Sequence, residues 1–333
     1  MEECLNRSGV SCAVRNIWSD FIVRALFFSN VPYSYRLFIH AVAPINSWIH
    51  SLNIKAHDLV WISGPPIPDT RCRFERKVIQ RGACYIFWIE DDWFSDDRLR
   101  PSAETRVQIA DLIVAVTPNL RDRICELYPG KSVIALEEPI DVDRLNPNGR
   151  SRDYKKSLVI WSGRPWAIDQ LLMINDVLRR VYRDVPFVLR IITGTEKPEI
   201  RFSIPWEWVP YNRHREAEYA AGAVAGLAPL EDTNFNSCKG NYKVKTYMAM
   251  GVPPLTSPVG YNNHLVKHGE TGFLLNSETE WETTLRKLLK DVSFAAKVGA
   301  AARADTIKRY SYEALMPIWA EALRRAFPEQ LII

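Results

Sequence analysis

The segment from Gly222 to Leu275 constrains the fold of this chain more than any other part of its sequence. It begins with an apolar run, Ala223 to Leu230, whose length and composition predict a buried parallel strand. Helical periodicity follows a polar loop and extends from Tyr242 to Gly251, where glycine ends the helix. Val252 to Thr256 predicts another short strand directly afterwards. This succession of strand, helix and strand is typical of an α/β protein with a parallel sheet.

Two lysines near the predicted helix start indicate what this segment binds. In an open parallel sheet, ligands bind outside the carboxyl ends of the strands. A helix that starts there offers unpaired amide groups and the positive end of its dipole. Lys239 in the loop and Lys243 in the first turn add positive charge at that position. The segment therefore predicts an anion site, and a diphosphate is the anion that suits it.

The composition of the whole chain limits the classes of protein to which it can belong. A chain of 333 residues is long for one core and comfortable for two domains. The net charge is +4, and the sequence contains no long run of Lys and Arg of the kind that predicts nucleic-acid binding. The six cysteines show no C-x-x-C spacing, so we expect them to be reduced. No stretch has the apolar length of a signal peptide or a membrane span, and we expect a cytoplasmic protein.

Three motifs in the second half of the chain resemble those of a known family. They are Lys243 to Pro253 (KVKTYMAMGVP), Ser257 to Gly260 (SPVG) and Gly269 to Leu275 (GETGFLL). Together they are similar to the donor-binding half of the GT-B glycosyltransferases, in particular the large bacterial group that includes many retaining, nucleotide-sugar-dependent enzymes. The similarity extends through Trp281 into the helical tail and, more weakly, back to about Asp58.

The resemblance implies an α/β protein with the GT-B fold, in which two doubly wound Rossmann-like domains face a central cleft. Residues 1–150 would form the acceptor-side domain and residues 151–310 the nucleotide-sugar-binding domain. Residues 311–333 would form a helix that packs back towards the first domain. These limits place the domain boundary near residue 150.

The resemblance also implies an activity and its partners. The enzyme would move a sugar from a nucleotide-diphosphate sugar to a hydroxyl of a saccharide, lipid-linked or small-molecule acceptor. No metal or other cofactor is expected, and retention of the anomeric configuration is the outcome that the family favours. Peripheral contact with the inner face of a membrane is a further expectation.

Several residues of the second domain match positions at which relatives hold the donor. Gly163 and Arg164 end a predicted strand, where relatives offer a backbone turn and a guanidinium to the phosphates. The lysine that many relatives carry a few residues later is not evident, because Asp169 lies in that region. We expect Lys239 and Lys243 to act in its place.

An aromatic segment from Trp206 to Asn212 resembles the strand and loop that pack against the nucleotide base in relatives. Its aromatic side chains could supply a stacking face, and Tyr211 is our candidate. Core packing is the alternative, and for Trp206 and Trp208 it fits at least as well.

The acidic pair of many retaining relatives is absent from this sequence. Aligning the motif that starts at Tyr247 places Thr246 and Cys238 where those relatives carry glutamates. A hydroxyl at Thr246 can still contact ribose or phosphate, but without the charge of a carboxylate. Glu231 and Asp232, in the loop after the strand, are the only nearby carboxylates that could take over the sugar or ribose contacts. We expect Glu231 and Lys243 to take part in catalysis.

The cluster Glu90-Asp91-Asp92 is the sharpest charged feature of the first half and has three interpretations. It resembles the metal-binding carboxylates of GT-A glycosyltransferases. Alternatively, its carboxylates face the acceptor, as a base or as hydrogen-bond acceptors for sugar hydroxyls, and Asp91 is our candidate for that role. The third interpretation is that the cluster caps the next helix.

The acceptor side is predicted near the amino terminus. Phe21 to Phe28 is apolar enough for a first strand, and the resemblance places Ser29 to Arg36 in the loop after it. The Gly-Gly pair that is common in this loop of relatives is missing. Candidate acceptor-binding residues are Tyr33, Tyr35 and Arg36, with His40 nearby.

Two other functions fit parts of the sequence. A GT-A-like transferase that uses Glu90-Asp91-Asp92 would lose its activity on chelation, but it would not explain the second α/β half. A non-catalytic GT-B relative that binds a nucleotide sugar or a partner transferase would explain the missing acidic pair. It would bind the nucleotide without turning over the donor.

Overall fold

The computed structural model describes residues 48–49, 51–63, 72–146 and 157–330 of the chain. These residues form two compact units. The first unit contains the described residues up to Glu137 together with those from Met316 onward, and the second contains Glu138 to Leu315. The predicted strand from Phe21 to Phe28 lies outside the described residues.

The first unit contains a parallel four-stranded sheet with the strands in chain order. Its strands β2 and β3 are buried along almost their whole length, as their continuous apolar sequences predict. The strands are β1 (Leu59–Ser63), β2 (Cys84–Ile89), β3 (Leu112–Ala115) and β4 (Val133–Ala135). The helices between them are α1 (Arg73–Gln80), α2 (Arg100–Ile109) and α3 (Pro118–Leu127).

The start of α3 shows how local sequence determines a helix boundary. The Thr117 hydroxyl accepts a hydrogen bond from the N–H of Leu120 at 3.2 Å, and Pro118 occupies the first helical position. A capping hydroxyl followed by proline is a pattern that predicts a helix start, and the structure has the helix at this position.

The second unit contains a parallel six-stranded sheet. Its strands are β5 (Leu158–Ser162), β6 (Val188–Ile192), β7 (Trp206–Val209), β8 (Ala223–Ala228), β9 (Pro254–Thr256) and β10 (Phe273–Leu274). Its helices are α4 (Asp169–Leu172), α5 (Asn175–Asp184), α6 (Glu216–Tyr219), α7 (Asn234–Ser237), α8 (Tyr242–Ala249), α9 (Asn262–Leu265), α10 (Glu278–Lys290) and α11 (Val292–Tyr310).

The order of these strands determines where a ligand can bind. Across the sheet they run β10-β9-β8-β5-β6-β7, so the chain starts in the middle with β5. It proceeds outward to β7 and then returns to β8 on the other side of β5. In doubly wound sheets the crevice at such a reversal, beyond the carboxyl ends of the strands, is the ligand site. The site in this unit is therefore expected beyond the ends of β5 and β8.

The sequence predicts one helix from Asp169 to Tyr182 and another from Arg213 to Ala221, and both differ from the structure. The single helix expected from Asp169 to Tyr182 is interrupted, because the N–H groups of Met173 and Ile174 bond three residues back and tighten the turn there. The helix expected from Arg213 to Ala221 is reduced to the single turn of α6. The Asn212 side chain accepts a hydrogen bond from the N–H of His214 and holds the preceding residues in a turn.

The carboxyl-terminal helix α12 (Tyr312–Ala326) contributes a tryptophan to the first unit. The Trp319 ring stacks on Trp61 of β1 at a centroid distance of 5.0 Å and packs against Trp88 of β2 at the same distance. Its indole N–H donates to the Glu137 carbonyl at 3.0 Å.

No described helix combines the length and the apolar composition that a membrane crossing needs.

Replacing Trp319 with alanine should lower the free energy of unfolding by about 3 to 5 kcal/mol, because it removes a buried aromatic side chain from this cluster. The neighbouring Ile318 is 57% exposed and is a matched control. Its change to alanine should cost less than about 0.5 kcal/mol. Urea denaturation followed by circular dichroism measures both values, and equal effects would contradict this account of the cluster.

Candidate functional site

The carboxyl ends of β5 and β8 are joined by a tyrosine hydroxyl. Direct pairing of the two strands ends at Ile160 and Gly226. Beyond that pair, the Tyr247 hydroxyl of α8 accepts a hydrogen bond from the N–H of Ser162 at 2.7 Å and donates one to the Leu227 carbonyl at 3.2 Å. A β-carbon at Gly226 would come within 2.5 Å of the Tyr247 ring. Glycine at this position therefore lets α8 reach the point where the strand order reverses.

Lys243 lies one helical turn before Tyr247 and reaches the end of β5. Its Nζ is 4.3 Å from the centroid of the Trp161 ring, and a β-carbon at Gly163 would come within 3.2 Å of it. Among the described residues, no carboxylate or carbonyl oxygen pairs with this ammonium. Burial, with a smaller contribution from the charge of Lys239, lowers the pKa of Lys243 to about 7. A bound anion would restore the interactions that this cation has lost.

Other hydrogen-bond donors surround the start of α8. Asn241 precedes the helix in a left-handed conformation, with φ of 48°, and its side chain does not cap the helix. Its Nδ2 and the indole nitrogen of Trp161 are buried and have no hydrogen-bond partner among the described residues. Lys239 lies in the loop before the helix, with its Nζ 4.6 Å from the Phe235 ring centroid. Together with the first amide groups of α8, these donors favour a negatively charged ligand.

The predicted residues at the end of β5 lie beside Lys243. Gly163 accepts a hydrogen bond from the Thr193 hydroxyl through its carbonyl oxygen at 2.7 Å. A side chain on Gly163 would collide with the Trp161 ring, 2.8 Å away, so the close approach of the backbone requires glycine. Arg164 is exposed, and its guanidinium carbon is 5.5 Å from the centroid of the exposed Trp166 ring. Its charge is thus available to a ligand at this edge.

Tyr211 follows β7 and is also at the carboxyl edge of the sheet. Its N–H donates to the Gly194 carbonyl at 2.8 Å, and its side chain is 45% exposed. Burial and then the charge of Glu216 raise the pKa of Tyr211. Glu216 is itself buried and forms an ion pair of 2.7 Å with Arg144. This ion pair is not predictable from the sequence, because the two residues lie 72 positions apart and no local pattern connects them.

Other predicted residues occupy different surroundings. The Thr246 hydroxyl is buried and donates to the Tyr242 carbonyl of its own helix at 2.9 Å. Cys238 is buried as well. Glu231 and Asp232 are exposed in the loop after β8, where the Glu231 carbonyl accepts a hydrogen bond from the Asn236 side chain. Roles for Thr246 and Glu231 at a donor site stay predictions.

The acidic cluster after β2 is divided among several roles. Asp92 is buried, accepts hydrogen bonds from the N–H of Phe94 and the hydroxyl of Ser95, and caps a short 3₁₀ turn. The capping interpretation therefore describes Asp92. Glu90 accepts a hydrogen bond from the Trp88 indole at 3.0 Å. Within the described ranges, no three His, Cys, Asp or Glu side chains are grouped so that they could hold a metal.

Asp91 lies half-buried between these two residues, and its role towards an acceptor stays a prediction. The other candidate acceptor residues, Tyr33, Tyr35 and Arg36, lie outside the described residues, as does His40. The candidate donor-binding residues, in contrast, are all described and all lie in the second unit.

Comparison with known proteins identifies the fold. No family model matches the chain, and no curated protein matches it either. Among solved structures, TarM from S. aureus in complex with UDP superimposes with a TM-score of 0.65 at 13% identity, over 84% of this chain and 58% of TarM. HepE from Anabaena in complex with UDP-glucose gives 0.62 at 13% identity, over 84% and 82% of the two chains. The chain has the GT-B fold.

A glycosyltransferase from Rickettsia africae extends this likeness to nearly the whole chain. It gives a TM-score of 0.61 at 11% identity and covers 98% of this chain and 88% of its own. The present chain spans less than two thirds of TarM. The predicted GT-B fold and its parallel α/β architecture are confirmed. Sequence identities this low show the fold and nothing about the function.

The Tyr247 hydroxyl should be worth a measurable part of the stability. Changing Tyr247 to phenylalanine leaves the Ser162 N–H and the Leu227 carbonyl without this partner, which should cost about 1 to 3 kcal/mol. Tyr85 is a matched control, because it is fully buried and its hydroxyl has no partner among the described residues. Its change to phenylalanine should be nearly neutral in the same urea titration. A neutral result for Tyr247 would show that the hydrogen bonds of its hydroxyl contribute nothing to the free energy of unfolding.

The lowered pKa of Lys243 predicts a pH-dependent anion affinity. The lysine is protonated below its pKa of about 7 and neutral above it, so binding of UDP should weaken as the pH rises. We expect a loss on the order of tenfold from about pH 7 to about pH 8.5. Isothermal titration calorimetry at several pH values measures this affinity for UDP. Lys243→Arg keeps its charge throughout this range and should remove most of the dependence. An equally steep profile in this variant would assign the titration to another group.

Proposed function

We propose that this protein is a glycosyltransferase that uses a nucleotide-diphosphate sugar and holds the diphosphate at the start of α8 in its second unit. The observation that carries the proposal is the position of Lys243, a half-buried cation beside Gly163 at the point where the strand order reverses. The GT-B fold supports the same conclusion, because its solved neighbours include TarM in complex with UDP and HepE in complex with UDP-glucose.

The proposed reaction breaks the bond between the anomeric carbon of the sugar and the phosphate oxygen. A new bond forms from that carbon to an acceptor hydroxyl, which gives up its proton. Negative charge builds on the departing diphosphate, and Lys243, Lys239 and Arg164 would stabilise it together with the helix start. Fixed positive charges at this position can do so without a metal, which is why we propose a metal-independent transferase.

The finer features of the proposal rest on the resemblance in sequence. They are retention of the anomeric configuration, a saccharide, lipid-linked or small-molecule acceptor, and contact with a membrane through that acceptor. Glu231 and Asp91 are the carboxylates that we propose for contacts with the reacting sugar and the acceptor. A non-catalytic nucleotide-sugar binder is the second candidate, favoured by the buried Thr246, whose hydroxyl is bonded within its own helix.

A nucleotide panel in EDTA tests the proposal. UDP, GDP, ADP, dTDP and CMP, each with a corresponding sugar, are added to the protein, and thermal unfolding is followed. A ligand at a hundred times its Kd should stabilise the protein by about 2.7 kcal/mol. Release of free nucleotide from the sugar nucleotide, with an acceptor mixture present, then separates a transferase from a binding protein.

Lys243→Ala should abolish the stabilisation and lower turnover by one or more orders of magnitude. Lys267→Ala is the matched control, since this lysine is exposed and pairs with Asp305 of α11. It should bind and turn over like the wild type. Binding without nucleotide release would support the second candidate, whereas stabilisation that appears only with Mn²⁺ would overturn a metal-independent site.

A further inference from the structure

Among the described residues, Trp166 is the most exposed of the large apolar side chains, with 63% of its surface accessible. It lies in a 3₁₀ turn (Pro165–Ala167) that directly follows Gly163 and Arg164 at the carboxyl end of β5. A tryptophan is usually buried over most of its surface, because its ring is large and apolar. The exposed ring therefore presents an apolar surface at the edge of the sheet where ligands bind.

The turn that carries Trp166 is held on both sides. The N–H of Ile168 donates to the Pro165 carbonyl at 3.3 Å, and the side chain of Ile168 is buried in the core of the second unit. On the other side, the Pro165 ring packs so closely on Gly194 that a β-carbon there would lie 3.2 Å from it. These contacts fix the backbone of the turn and keep the Trp166 ring at the surface.

The neighbour of this ring is the guanidinium of Arg164. Its central carbon is 5.5 Å from the centroid of the Trp166 ring. Arg164 is one of the groups that we propose for the diphosphate. In a sugar nucleotide the sugar ring is bonded directly to the outer phosphate. A ring in contact with an arginine that holds phosphate is therefore also within reach of the sugar.

The flat face of an indole suits a sugar ring better than it suits the phosphates. The faces of a pyranose carry C–H bonds, whereas its hydroxyls point outward and can stay in water. C–H hydrogens are weakly positive and the face of an aromatic ring is negative, so the two attract each other. Covering the C–H face also removes apolar surface from water. A phosphate, being negative, would be repelled by the same face.

We propose that Trp166 is a stacking surface for a sugar ring, beside the place where Arg164 would hold the diphosphate. The inference rests on the proposed function and adds a contact for the sugar to the contacts for the phosphates. The sugar is that of the donor or that of a saccharide acceptor, since both present a C–H face. For the donor, this contact would favour the sugar nucleotide over the free nucleotide that leaves as product.

Calorimetry tests the donor sugar by comparing UDP, GDP, ADP, dTDP and CDP, each with its glucose conjugate. For the base that binds best, Trp166→Leu should lower the affinity for the conjugate about threefold to tenfold relative to the nucleotide alone. Trp166→Phe keeps a flat aromatic face and should retain most of the wild-type ratio. Met173→Ala is the matched control, because Met173 is also apolar and 50% exposed but has no ring. It should leave the ratio unchanged.

Sugars without phosphate test the acceptor. Methyl glycosides of glucose, galactose, mannose and N-acetylglucosamine are added to the protein with and without saturating nucleotide. Saturation-transfer NMR measures their affinities. A loss in Trp166→Leu that Trp166→Phe does not share would assign the surface to an acceptor sugar. The series without nucleotide tests Trp166 even if no nucleotide binds.

Fluorotryptophan labelling adds a measurement of contact that is independent of affinity. The chain contains 11 tryptophans, and the fluorine resonance that disappears in Trp166→Phe belongs to Trp166. This resonance should shift when the glucose conjugate or a glycoside is added. Free nucleotide should shift it much less, because the phosphates do not cover the ring.

The proposal is overturned if Trp166→Leu weakens neither the conjugates nor the glycosides, or if Trp166→Phe loses as much affinity as Trp166→Leu. An equal effect of Met173→Ala would also overturn it. Failure of the wild type to bind any nucleotide or conjugate would instead count against the proposed function. A selective loss for one class of ligand supports the stacking role and identifies the sugar as donor or acceptor.

Discussion

The bond that the Tyr247 hydroxyl makes to both β5 and β8 determines the geometry of the second unit at its ligand edge. It fixes α8 against the sheet where the two strands cease to pair directly. Residues four apart in a helix lie on the same face, so Lys243 is directed towards the same place as Tyr247. Its ammonium consequently lies over the Trp161 ring at the end of β5. Gly226 makes this possible, since any side chain there would occupy the volume of the tyrosine ring.

The arrangement around Lys243 costs stability while no anion is bound. A half-buried ammonium with a lysine neighbour and no carboxylate among the described residues has lost hydration without full compensation, as its lowered pKa indicates. The attraction of the Trp161 ring offsets only part of that loss. An anion would supply the missing interactions, so the unfavourable feature of the free protein becomes binding free energy for a diphosphate. Functional sites commonly carry such local destabilisation.

Local chemistry in the sequence predicted much of the fold. The apolar runs predict the strands β2 and β8. Thr117 and Pro118 predict the start of α3, and Gly251, with φ of 68°, ends α8 as expected. Features that depend on distant partners were not foreseeable. The buried ion pair of Glu216 with Arg144 is one of them, because the two residues are 72 positions apart in the sequence. The break before α5 likewise depends on tertiary contact, since Asn175 exchanges hydrogen bonds with Ser203 in a remote loop.

The missing carboxylate at position 246, where many retaining relatives carry a glutamate, affects the charge of Lys243. A carboxylate at position 246 would lie three residues after Lys243 on the same helix, which is close enough for an ion pair. Such a pair would raise the pKa of the lysine and neutralise part of its charge before any ligand arrived. The residue present is Thr246, whose hydroxyl is occupied by the Tyr242 carbonyl and leaves the ammonium uncompensated. A threonine at position 246 therefore leaves the charge of Lys243 available to an anion.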